Sequence, residues 1–118
     1  MFCVYNIIRD INEGGYMIVK IFGKISDKLS RYLSEKTVSV VKERVGTNAK
    51  IEYFDTDKPI GMDMTKEQNI LYLPTVIIED DEGNEIDFIE SNKSIYDINM
   101  SHIWWTDLEL FLGKHFDK

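Results

Sequence analysis

Cys3 is the one thiol in this 118-residue chain. Thiol chemistry runs through the thiolate, and dithiol exchange needs a second sulfur to resolve the mixed disulfide. A lone cysteine excludes an internal disulfide and a Cys-x-x-Cys pair. It leaves one-thiol exchange, or the plainer use of cysteine as a small apolar side chain. His102 and His115 stand 13 positions apart in one C-terminal segment. That spacing misses the i, i+4 geometry of a two-histidine metal site, so both read as solvated surface residues. The acidic run Glu79-Asp80-Asp81-Glu82, with Glu85 and Asp87 beyond it, lacks the alternation of an EF-hand loop and reads as a solvated hairpin tip. There is no Ser-His-Asp elbow, no P-loop and no Gly-x-Gly-x-x-Gly, and Gly14-Gly15 is not followed by a helix start with lysine. No catalytic residue, metal or cofactor is expected from these patterns.

The composition bounds the remaining possibilities. A length of 118 residues fits one domain of the usual ~100–150 residues. With 43% hydrophobic and 30% charged residues, the chain has enough apolar surface to form a core. The net charge is −7, with no basic run, the opposite of what phosphate neutralisation asks, so no nucleic-acid partner is expected. No apolar run approaches the ~20 residues of a membrane-spanning helix, and the N-terminus lacks the pattern of a signal peptide. No membrane association is expected, and one cysteine fits a reducing, cytoplasmic setting.

The elements that would carry any site follow from periodicity. Residues 17–25 are rich in β-branched and aromatic types, with Gly23 at the exit, and predict a buried strand. Ser26 or Asp27 offers an N-cap for a helix whose apolar stripe includes Leu29, Leu33, Val41 and Val45 and which ends near Gly46. Residues 49–54 alternate as a second strand, and Asp55–Pro59 reads as a loop. A short helix follows over 62–69, with Asp63 or Thr65 near its start. Residues 73–79 predict a third strand entered through Pro74, since proline lacks a ladder donor. An acidic turn at 80–84 joins it to a fourth strand, 85–90. Residues 91–100 read as a loop. Residues 101–116 predict a C-terminal helix with Ser101 as its cap. Trp104 and Trp105 are adjacent and point about 100° apart on that helix, one toward the sheet and the other toward solvent.

This β-α-β-α-β-β-α order from residue 17, with Ile70, Leu73, Pro74 and Thr75 leading into an apolar strand and Gly83 in the turn beyond, resembles the thioredoxin and glutaredoxin family. The resemblance covers residues 17–116. It implies an α/β, thioredoxin-like fold, with a central mixed sheet of four to five strands flanked by helices. It also implies a cis peptide bond at Leu73–Pro74. The family's redox motif lies where the first core strand meets the first core helix. Here that place reads Gly23-Lys24-Ile25-Ser26-Asp27-Lys28-Leu29-Ser30. Either Ser26 and Leu29, or Asp27 and Ser30, fall where two cysteines would sit. A serine hydroxyl cannot replace the thiolate in disulfide exchange. The resemblance therefore implies a redox-inactive member that binds a protein or extended peptide on the surface formed by Ser26, Asp27, Ser30, Leu73, Pro74 and Thr75.

Two alternatives stand beside that reading. One is a divergent thiol-disulfide or glutathione-dependent oxidoreductase that uses Cys3. The other is a structural or assembly protein with Trp104 and Trp105 at an interface. The thioredoxin-like domain is expected over 17–118, and residues 1–16 are expected to be either a translated leader or an added strand, Phe2–Ile8. The leader reading rests on Glu13-Gly14-Gly15, whose codons readily spell an AAGGAGG-type ribosome-binding site ahead of Met17. Mass spectrometry of the native protein separates the two. The Ile-, Lys-, Asn- and acid-rich usage points to an AT-rich source, a phage or Gram-positive bacterium.

Overall fold

The computed structural model describes residues 17–70, 72–91 and 101–116. The order is β1 (Met17–Gly23), α1 (Lys28–Val45), β2 (Ala49–Asp55), α2 (Pro59–Glu67), β3 (Thr75–Glu79), β4 (Glu85–Glu90) and α3 (Ser101–Phe116). The four strands form one sheet in the order β2-β1-β3-β4. β1 runs parallel to β2, from Met17 opposite Ala49 to Gly23 opposite Asp55. β3 is antiparallel to both β1 and β4. The fold is therefore α/β with a four-stranded mixed sheet. Cys3, the extension 1–16 and the loop 92–100 lie outside the described residues.

The sheet has two unlike faces. Val19, Ile21, Val76 and Ile78 point to one of them, where α1 and α3 cover them with Leu33, Val41, Val45, Leu108 and Leu112. All of these are at most 1% exposed. The opposite face carries Lys20, Phe22, Phe54, Ile77 and Glu79. Phe22 stacks on Phe54 at 5.1 Å, and Lys20 Nζ meets Glu79 at 3.1 Å. Helix α2 packs on the β2 end of the molecule.

Several local features differ from the sequence expectation. Helix α2 starts at Pro59, with Asp63 and Thr65 inside it. Proline suits a first helical position, because its missing N–H has no helical partner there. Strand β3 starts at Thr75, since Leu73 and Pro74 form the bend that enters it. On α1 the buried positions are Ser30, Leu33, Ser34, Thr37, Val41 and Val45. Leu29, expected on the apolar stripe, is 43% exposed. Small hydroxyl residues line this end of the helix because the backbone of β1 comes so close. A Cβ on Gly23 would stand 2.5 Å from Ser34 Oγ and 2.8 Å from the Tyr53 hydroxyl.

His115 is not a free surface residue either. Its ring hydrogen-bonds Asp87 Oδ2 at 2.9 Å and keeps only 15% side-chain exposure. Asp87 thus ties β4 to α3 instead of belonging to a solvated tip. The tip itself is ordered by Asp80, whose Oδ1 accepts from the Glu82 and Asn84 N–H groups, both at 2.9 Å. Gly83 there has φ 89°, a left-handed value that favours glycine. Of the paired tryptophans, Trp104 is buried and its indole N–H donates to Thr37 Oγ1 at 3.2 Å. Trp105 is half-buried, with Lys36 Nζ 4.5 Å from its ring centre.

Candidate functional site

Phe22 pairs with Thr75 across β1 and β3. This pairing sets the C-terminal end of β1 beside the start of β3. The loop from Lys24 to Asp27 and the bend from Tyr72 to Pro74 therefore leave the sheet at the same end. Local hydrogen bonds hold both. Asp27 is the N-cap of α1, and its carboxylate accepts from the Ser30 N–H at 3.0 Å. Ser34, buried one turn further along α1, clasps the loop from beneath. Its Oγ accepts from the Lys24 N–H at 3.0 Å and donates to the Lys24 carbonyl at 3.1 Å. In the second loop the Leu73–Pro74 peptide bond is cis. Thr75 Oγ1 donates to the Tyr72 carbonyl at 2.6 Å, and the Ser91 N–H donates to the Pro74 carbonyl at 3.0 Å.

Of the six residues expected at this surface, Ser26 and Asp27 are exposed and Leu73 is half-buried. Ser30, Pro74 and Thr75 are buried, so they shape the surface from below instead of lining it. Exposed apolar side chains stand between and beside them, Ile25 at 38%, Leu29 at 43% and Tyr72 at 40%, interleaved with the exposed cations Lys28 and Arg31. Sequence reasoning missed this group, and also Ser34. The signal for Ser34 lay four residues beyond Ser30, on the same face of α1.

The electrostatics of the loop are those of a cap. The Ser30 backbone N–H, then the Ser30 hydroxyl and, more weakly, Lys24 hold the Asp27 carboxyl below its ordinary range. Asp27 is therefore ionised at neutral pH and is engaged as an acceptor, unsuited to general-acid work. Among the described residues, both histidines belong to α3, at the far end of the sequence from this loop, and His115 is committed to Asp87. Behind the loop, a cavity of 380 Å³ is lined by Ile25, Ser34, Glu35, Val38 and Tyr53. Burial pushes the Tyr53 phenol up, so it stays protonated at neutral pH. Among the described residues no three His, Cys, Asp or Glu side chains come close enough together to hold a metal ion. No helix among them is long and apolar enough to cross a membrane.

No protein-family model and no curated protein matches the sequence. Solved structures do. The chain is similar to mitochondrial thioredoxin 3 of Saccharomyces cerevisiae in its oxidised form. The identity is 15% over 83% of this chain and 89% of that one, with a TM-score of 0.52. It is similar to the germline-specific thioredoxin Deadhead of Drosophila melanogaster at 16% identity over 84% and 90%, with a TM-score of 0.53. It is similar to Fasciola hepatica thioredoxin at 20% identity over 84% and 92%, with a TM-score of 0.52. At these identities the likeness is one of fold, and with a single cysteine in the sequence the chain is a thioredoxin-like fold without a Cys-x-x-Cys motif.

Proposed function

We propose that this chain is a protein- or peptide-binding module that uses the thioredoxin-like fold as a recognition surface without dithiol chemistry. The observation that supports it most directly is that Ile25 and Tyr72, on the two loops that emerge together beside Phe22 and Thr75, and Leu29, in the first turn of α1, keep exposed apolar side chains. Single exposed apolar residues are ordinary, whereas several at the end of a sheet where two ordered loops emerge are what an interaction site draws on. Asp27, Ser34 and Thr75 hold these loops with local hydrogen bonds, so the surface is ordered before a partner arrives. Preorganisation of this kind reduces the ordering cost of association. The Ser26–Ser30 segment offers serine hydroxyls and a committed carboxylate where disulfide exchange needs sulfur. A single cysteine fits a reducing cytoplasm, and the residue usage fits a phage or Gram-positive source.

The test is insulin-disulfide and glutathione-disulfide reduction by the full chain and by Cys3→Ser. Both are expected to stay at background. Turnover by the full chain that Cys3→Ser abolishes would replace this reading with one-thiol oxidoreductase chemistry at Cys3.

A further inference from the structure

Strand β4 lies at the edge of the described sheet, and what guards it is acid, with no lysine or proline. Natural edges carry lysine, proline or a bulge that turns them away from new partners. β4 reads Glu-Ile-Asp-Phe-Ile-Glu, with neither lysine nor proline. Its one register shift is at the hairpin end, between Ile78 and Glu79, and the pairing from Asp87 to Glu90 is regular. Ile86 is 47% exposed and Phe88 is 50% exposed. Phe88, paired with Ile77, lies on the face opposite α1 and α3, and Ile86 is the extra residue of the bulge. Beside Phe88, a hollow of 220 Å³ opens between this face and the segment that follows α2. Its apolar lining includes Ile70, Ile77 and Phe88, and Glu85 and Glu90 add carboxylates.

We infer that the β4 edge and this hollow form a second binding site, adjoining the two-loop surface only at Thr75, for an extended segment that alternates basic and apolar residues. A lysine or arginine of the segment lays its methylene stem on Ile70, Ile77 and Phe88 and brings its charge to Glu85 and Glu90. Long cationic side chains divide themselves in this way between apolar and polar surroundings. The backbone of the segment pairs with β4, as in other strand-addition modes. A second copy of this chain does not suit the edge. Pairing β4 antiparallel with itself, Glu85 opposite Glu90, sets carboxylates against each other at both ends. Slipping the register by one residue sets Asp87 opposite Asp87 or Glu90 opposite Ile86, which leaves the acids without partners. Like charges directly opposite destabilise a strand pair. The whole chain, at −7, adds to that repulsion and attracts a cationic partner.

The probe is a synthetic eight-residue peptide of alternating lysine and valine, added to the full chain and followed by NMR shifts and calorimetry. Its controls replace lysine by glutamate, or methylate alternate backbone nitrogens. The lysine peptide is expected to shift resonances of β4 and of residues 68–70. Neither control should bind. The double variant Glu85→Gln/Glu90→Gln, on the solvent-facing strand, is expected to weaken binding roughly 5-fold or more at low salt, the scale of two exposed charge pairs. Phe88→Ala should weaken it further while circular dichroism shows the fold retained. Several results would overturn the proposal: equal binding by the double variant, unimpaired binding of the methylated peptide, or shifts centred on residues 25–29 and 72–74. Absence of binding at millimolar peptide, or self-association of the chain that Phe88→Lys abolishes, would also overturn it. The last outcome would assign the edge to a second copy.

Discussion

The two faces of the sheet solve the burial problem in different ways. Beneath α1 and α3, Val19, Ile21, Val76, Ile78, Leu108 and Leu112 form a dry, fully enclosed layer. On the opposite face an ion pair, Lys20 with Glu79, sits beside the stacked Phe22 and Phe54, and Phe88 at the margin stays half in solvent. The first face tolerates almost no chemistry other than packing. The second mixes charge, aromatic surface and open space. On the second face apolar burial is confined to the middle, at Phe22 and Ile77, and the β4 margin is left open.

The largest expected effect comes from breaking the enclosed face. Leu108→Ala removes a fully buried side chain and should cost about 3 kcal/mol, read from urea unfolding. A cost below about 1 kcal/mol would mean that α3 is not part of the core. On the mixed face, Glu79→Gln keeps the volume but leaves Lys20, at 13% side-chain exposure, without its countercharge. The expected loss is about 2 kcal/mol, less than for a fully buried pair because Lys20 retains some water. The double change Lys20→Met/Glu79→Leu should recover most of it, since apolar replacement of both partners removes the desolvation cost. A double variant as unstable as Glu79→Gln would show that the pair is worth more than packing.

The smallest effect lies at the rim, where Asp87 meets His115. The His115 hydrogen bond, helped by the Phe88 N–H and by Lys114, holds the Asp87 carboxyl below its ordinary value near 3.8. A carboxylate whose pKa is depressed by folding contributes stability that is complete above the unfolded value. That contribution is lost as pH falls through the folded value. Urea midpoints should therefore fall more steeply below about pH 4 for the wild type than for Asp87→Asn, and the two curves should converge in acid. Parallel curves would remove Asp87 from the acid response.

How much of this was legible in the sequence depends on distance along the chain. The element order, the β3–β4 hairpin and the opposite fates of Trp104 and Trp105 follow from local periodicity. Residue type and position narrow the α1 cap to Ser26 or Asp27, and the folded chain selects Asp27. The start of α2 was hidden because proline serves a loop and a first helical turn equally well. The role of His115 was hidden because its partner is 28 positions away and on another element. The exposure of Leu29 and the burial of Ser34 reverse the usual preference of those side chains. The burial of Ser34 goes with the close approach of Gly23, which no helical pattern in α1 encodes. At the candidate site, sequence located the two loops, while the apolar group Ile25, Leu29 and Tyr72 emerged only from the folded surface.

The Trp104 indole, enclosed among core side chains and bonded to Thr37 across the α1–α3 contact, also gives the molecule an internal optical gauge. Its emission should be blue while α3 is docked and shift to the red when the helix lifts. Trp105, half in solvent beneath the Lys36 ammonium, supplies a reference fluorophore on the same turn. Red-edge excitation or quenching by iodide can then follow detachment of α3 without any label.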